Sequence, residues 1–161
     1  MDLTSFNASA REDATAFLLE CCASRRFAAR VADGRPYSSL AATATAIESA
    51  FREMTWDDVS EALAGHPRIG ARVTGQSAAE QSGVTDGSRA ALAAGNAEYE
   101  ARFGHVFLIC ATGLDGADML AALRDRLHNT PAAERSLVTD ELRKITVLRV
   151  RKALGKAQEE P

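Results

Sequence analysis

A basic surplus, metal-ligand spacings and long apolar runs are all missing from this chain. Its 19 basic and 22 acidic residues leave a formal net charge of −3. That argues against a nucleic-acid partner, which would call for a positive surface. The charge-free apolar stretch Phe103–Leu114 is broken by Gly104, His105 and Gly113 and is too short to span a bilayer. The first residues, Met1-Asp2-Leu3-Thr4, show neither the basic nor the apolar part of a secretory signal. The last, Gln158-Glu159-Glu160-Pro161, form no peroxisomal tripeptide and no lipidation box. The expectation is a cytoplasmic protein with no membrane partner.

Cysteine is scarce as well. Cys21, Cys22 and Cys110 are an odd set containing one adjacent pair, which is not a disulfide framework. They lack the Cys-x-x-Cys spacing of a zinc site, and all three read as small buried hydrophobes. The three histidines, His66, His105 and His128, make no His-x-x-x-His pattern, so no metal is expected; His128 reads as a surface residue. There is no phosphate-cradling glycine loop and no Ser-His-Asp signature.

Lysine (three), tyrosine (two) and tryptophan (one) are rare, whereas alanine occurs 32 times and arginine 16 times. Alanine and arginine are strong helix formers, so an all-α fold is expected. With 161 residues the chain is long enough for one domain with its own core, without repeats or a linker. The expectation is a single-domain bundle, residues 1–161, of about seven to nine helices.

Local signals divide the chain accordingly. Ser9-Ala10-Arg11-Glu12 reads as a capping box ahead of Phe17 and Leu18. Ser24 can cap a short helix with Phe27 and Val31, which Gly34 stops, and Gly34-Arg35-Pro36 is a turn. Ser38 or Ser39 starts a helix carrying Leu40, Ile47, Phe51 and Met54 along one side. Thr55-Trp56-Asp57-Asp58 opens another, ended by Gly65. From His66 to Gly83 the pattern is irregular, with Pro67, Gly70, Gly75 and Gly83 and at most one helical turn near Glu80. Thr85 or Ser88 starts a helix to about Phe103, and Gly104 ends it. Val106–Cys110 is apolar and of strand length, either a buried extended segment or a helix start. Asp115 or Asp118 begins a helix through Leu127. Thr130-Pro131 begins the last, to about Leu154, with Thr as N-cap and Pro in the first helical position.

Four features can carry chemistry, and each has a plainer reading. His66 precedes a proline, which holds it extended just past a helix end whose partial negative charge favours an imidazolium. It is either an acid or base on stiff backbone or a histidine bonded to a nearby carbonyl. Ser77-Ala78-Ala79-Glu80-Gln81 is either a capping box or a junction presenting Glu80 and Gln81 to a ligand, with Gln81 able to donate to and accept from a urea or amide. The run His105–Ile109 is either plain core or a source of main-chain groups for a flat polar ligand. Arg149 continues the stripe Val138, Leu142, Ile145 on the last helix. It either meets an anionic or carbonyl partner or extends past the core to water.

Taken in order, several segments resemble one family, the 2-oxo-4-hydroxy-4-carboxy-5-ureidoimidazoline (OHCU) decarboxylases of urate breakdown. They are Phe6-Asn7, Cys21-Cys22-Ala23-Ser24, Arg35-Pro36, Gly65-His66-Pro67-Arg68-Ile69-Gly70 and Glu80-Gln81-Ser82-Gly83, followed by residues 99–110, Arg126-Leu127-His128-Asn129 and residues 141–149. The set covers nearly the whole chain. Two departures stand out: Phe27 where a tryptophan is common, and His105-Val106 where an aromatic-proline pair is usual.

The resemblance implies an all-helical, cofactor-free homodimer that acts on OHCU as a small-molecule substrate, releasing CO2 and forming (S)-allantoin in purine catabolism. It implies catalytic roles for His66, Glu80 and Arg149. It implies substrate contacts at Pro67, Ser77, Gln81 and the segment His105, Val106, Phe107, Leu108, Ile109. Two rival functions remain: a helical interaction module without chemistry, and an enzyme of the same fold acting on a related ureido compound.

Overall fold

The computed structural model describes residues 1–71, 78 and 80–155. Among them are eight α-helices and no strand. They are α1 (Leu3–Ala8), α2 (Arg11–Cys21), α3 (Arg25–Asp33), α4 (Leu40–Glu53), α5 (Trp56–Ala64), α6 (Asp86–Phe103), α7 (Gly116–Arg126) and α8 (Pro131–Gly155). The all-α expectation and its helix count therefore hold. The chain forms two compact units, one of Met1–Gly65 with Arg143–Pro161, the other of His66–Leu142. No helix among the described residues is long and apolar enough to cross a membrane.

In the first unit, hydroxyl caps set the helix starts. Ser24 Oγ accepts from the Phe27 N–H at 3.3 Å and Ser39 Oγ from that of Ala42 at 3.0 Å. At α5 the Thr55 hydroxyl accepts from the Asp58 N–H at 3.3 Å while the Asp58 carboxylate takes the Thr55 N–H at 2.7 Å. That is a complete capping box.

The box expected at Ser9–Glu12 does not form. Residues 3–8 are already helical, capped by Asp2 through the Ser5 N–H at 2.7 Å. Ser9 ends that helix and its hydroxyl donates to the Phe6 carbonyl at 2.9 Å. α2 then starts behind Ala10 with no side-chain cap. The Phe6-Asn7 and Arg35-Pro36 pairs prove to be structural. Asn7 donates to the Tyr37 carbonyl and accepts from the Tyr37 N–H, both at 2.9 Å. Arg35 lies 5.3 Å over the Phe6 ring and bonds the carbonyls of Ala32 and Ser9. Phe27 is fully buried, its ring tilted against Phe51 at 5.5 Å, so the smaller ring fills its place in the core.

The second unit is built on Ile69, Val84, Leu92, Tyr99, Phe107, Ala111, Met119 and Leu123, all buried. α6 ends on Gly104, whose φ of +76° and N–H bond to the Glu100 carbonyl at 2.8 Å make a left-handed C-terminal cap. α7 opens with a second capping box, Asp115 with Asp118. Gly83 is required where two stretches of backbone touch. Its carbonyl accepts from the Gly116 N–H at 3.1 Å, and a Cβ there would sit 2.0 Å from the Leu114 carbonyl oxygen. Cys21 and Cys22 are buried as expected, but Cys110 is only half-buried.

Candidate functional site

His66 is the first residue beyond Gly65, the C-cap of α5, and it and Pro67 are half-buried. The next three residues are held by side chains of the same unit. Arg68 makes a two-pronged pair with Glu100 at 2.6 and 3.0 Å. The buried Ile69 presents its carbonyl to Asn96 Nδ2 at 2.7 Å. Gly70 donates its N–H to Gln81 Oε1 at 2.8 Å and accepts from Arg89 Nη1 at 2.8 Å.

Glu80 lies in helical backbone and is half-buried, whereas Gln81 is buried. Because Gln81 Oε1 is committed to Gly70, the group it has left for a ligand is its amide NH2. Ser77, and with it the Ser77–Glu80 capping box, lies outside the described residues.

Residues 106–110 belong to neither helix nor strand. Of the two openings left by the sequence, the helix start is not the one realised. Phe107 and Leu108 are buried, with 0% and 2% exposure, so their side chains belong to the core and only their main chain can face a ligand. Among the described residues, the N–H groups of 106–109 find no main-chain partner. The segment is fixed instead by charged side chains. Arg126 Nη1 donates to the Leu108 carbonyl at 2.7 Å, and Glu141 Oε2 accepts from the Cys110 N–H at 2.7 Å. His105 Nδ1 sits 3.1 Å from the Val106 carbonyl, with its ring edge-on to Tyr99 at 5.5 Å.

Behind this segment is a buried ionic cluster that the sequence reading missed. Glu134 is fully buried and Arg126 is 6% exposed. Glu134 Oε1 accepts from Arg126 Nε at 2.7 Å and from the Tyr99 hydroxyl at 2.5 Å, and Oε2 accepts from Asn129 Nδ2 at 3.0 Å. Arg126 Nη2 is also 2.6 Å from Oε1, but off the hydrogen-bonding direction. The guanidinium lies 4.6 Å over the Phe107 ring. Burial, then Glu134, push the Tyr99 hydroxyl well above its ordinary pKa. The signal was present in the sequence. Met119, Leu123 and Arg126 fall at i, i+4, i+7 on the inward face of α7, the same pattern that singled out Arg149.

Arg149 belongs to the first unit. It is half-buried and its Nη1 donates to the Cys21 carbonyl at 3.3 Å. Val138, Leu142, Ile145, Thr146, Val150 and Leu154 of α8 are buried. His128 is exposed. Among the described residues, no three His, Cys, Asp or Glu side chains converge as a metal ion would require.

A family model described as OHCU decarboxylase matches residues 7–151. The chain belongs to the OHCU decarboxylase family. The uric acid degradation bifunctional protein TTL of Arabidopsis thaliana is 35% identical over 144 residues, covering 82% of this chain and 44% of the relative. A 2-oxo-4-hydroxy-4-carboxy-5-ureidoimidazoline decarboxylase of Amia calva is 38% identical over 93 residues, covering 55% of this chain and 53% of the relative. The chain thus spans about half the length of these two curated relatives. A crystal structure of OHCU decarboxylase in the presence of (S)-allantoin superposes with a TM-score of 0.79 at 30% identity, covering 91% of this chain and 99% of that one. A crystal structure of (S)-allantoin synthase shares the fold, with a TM-score of 0.70 at 18% identity over 94% of this chain and 54% of that one. In this chain Asn96 and Arg89 bond the carbonyls of Ile69 and Gly70, and Arg126 bonds that of Leu108.

Proposed function

We propose that this chain decarboxylates OHCU to (S)-allantoin and CO2 without a cofactor, as a carboxy-lyase of urate catabolism. In this reading residues 1–161 act as one functional domain, as a homodimer in the cytoplasm. The observation that carries the reading is the family match over residues 7–151, with His66, Pro67, Glu80 and Gln81 standing at the motif positions.

The substrate supports such chemistry by itself. Its carboxylate sits on a ring carbon beside a C=N bond. When the C–C bond to the carboxylate breaks, the electron pair flows into that C=N bond and CO2 departs. The nitrogen takes up a proton, the 4-hydroxyl gives up its own to become the ring carbonyl, and a proton delivered to the neighbouring, ureido-bearing carbon completes allantoin. No separate electron sink is needed.

The protein's part is to hold the ring, disfavour the bound carboxylate and direct the proton. The Gln81 amide NH2 and the main chain of residues 105–109 hold the ureido and carbonyl edges, with Ser77 and Pro67 completing the contacts. Glu80 either repels the carboxylate or orients His66. His66 is the general acid/base, a role worth roughly 10²–10⁴-fold. Arg149 stabilises developing negative charge. Protonation from one face gives one enantiomer.

The test is freshly generated OHCU followed by circular dichroism of the allantoin formed. The expected result is (S)-allantoin faster than spontaneous decay, lost in His66→Ala with the helical spectrum intact. Racemic product at the spontaneous rate would favour an interaction module. Turnover of another ureido compound but not of OHCU would favour the second rival.

A further inference from the structure

We infer that one face of α6 sets the position of His66, with Asn96 and Arg89 as positioning residues; the inference rests on the catalytic reading of His66. Arg89, Leu92, Asn96 and Glu100 follow one another at helical spacing along α6. Each meets a different part of the three residues after Pro67. Glu100 takes the Arg68 side chain, Asn96 the Ile69 carbonyl, and Arg89 the Gly70 carbonyl. Leu92 packs where a Gly70 Cβ would lie, 3.1 Å from its own Cβ. From the other side, Gln81 Oε1 takes the Gly70 N–H.

A short stretch of coil is thereby fixed at its side chain, at two successive carbonyls and at one amide. The hydrogen bond to Ile69 is buried, Asn96 being 3% exposed and Ile69 3%, so water does not compete for it. Little backbone freedom remains between this anchored stretch and His66. Pro67 has a locked φ and confines His66 to extended backbone. A rigid helix thus dictates where a residue on irregular backbone stands, and proton transfer requires that precision of placement.

The arrangement differs from simple loop stabilisation in what it predicts. If α6 holds His66 in register, loosening the contacts should impair the chemical step more than binding. It should also show directly in the imidazole. The variants are Asn96→Ala, Arg89→Ala and Arg89→Lys, the last retaining a cationic donor toward the Gly70 carbonyl. The readouts are kcat and KM on OHCU, and the His66 Cε1–H resonance, identified by its loss in His66→Gln.

For Asn96→Ala and Arg89→Ala the expected result is a fall in kcat of about 10- to 100-fold with KM changed by less than about threefold. The His66 resonance should broaden or split, and Arg89→Lys should restore most of both. Wild-type kcat with an unchanged His66 resonance in both alanine variants would overturn the inference. Should Asn96→Ala not fold, Arg89→Ala decides, since Arg89 is only half-buried. Wild-type turnover by His66→Gln would instead overturn the catalytic reading, and the resonance alone would then judge whether α6 positions the imidazole.

Discussion

Gly70 has a φ of +85°, and a Cβ on it would press on Leu92 at 3.1 Å. A side chain in that left-handed region costs about 1–2 kcal/mol. Gly70→Ala should therefore lower unfolding stability by about that amount in urea titrations, with turnover falling further than the stability change explains. At other single positions the chemistry separates by environment. Burial pushes the Cys22 thiol up to about 11, only partly offset by Thr146 and Arg149, so at pH 8 it is protonated and shielded. Mass spectrometry after brief alkylation should find label on Cys110 first, and on Cys22 only in denaturant. Glu80→Gln should slow OHCU turnover without lowering the melting temperature; the reverse pattern would make Glu80 a helix-start residue. Arg149→Lys should lose most activity, because lysine lacks the planar fork.

At the scale of helices, Thr55–Asp58 is the clearest local device. Bonds from Thr55 hold the Asp58 carboxyl below its usual range. A carboxylate held low adds stability above its unfolded pKa, and that stability disappears as pH falls through the folded value. Asp58→Asn should therefore cost stability at pH 7 and almost none once pH has fallen through that lowered value, and Thr55→Ala should cost about 1 kcal/mol at neutral pH. Signals of this kind made most helices legible in the sequence. Ser24, Ser39, Thr55, Asp115 and Thr130 each carry an oxygen at the right offset from an N–H, and chemistry over three or four residues can be read without a structure. α1 was missed because Asp2 caps it in a stretch too short to show periodicity, and Ser9, which closes α1, mimics a start. The clamp on residues 68–70 was illegible for a different reason. Asn96 and Ile69 are 27 residues apart, and no local pattern in either segment reveals that they meet. His66, Glu80 and Gln81 could be picked out because they sit in short motifs; Arg126 and Glu134 are united only by folding.

At the scale of a whole unit, the buried Arg126–Glu134 pair adds little net stability but leaves each partner dependent on the other. Desolvating two charges largely offsets their attraction, while removing one partner strands the other. Glu134→Gln should therefore cost about 3–5 kcal/mol in equilibrium unfolding. Arg126→Met combined with Glu134→Leu should recover much of that loss, because an apolar pair needs no partner. The double variant should still turn over OHCU poorly, since the Leu108 carbonyl loses the donor that fixes it. Recovery of stability and activity together would show that the cluster serves packing alone.

The burial of Phe107 and Leu108 carries an evolutionary consequence. Where side chains are walled into a core, what the outer edge of the strip displays is amide hydrogens and carbonyl oxygens, and nearly every codon encodes those alike. Point mutations at Phe107 or Leu108 would alter fit within the interior yet leave the displayed lettering the same, proline excepted. A descendant adapting to a differently shaped small molecule would gain nothing from new side chains at these two positions, and would have to change the half-buried residues around them or lengthen, shorten or reroute the strip between Gly104 and Ala111.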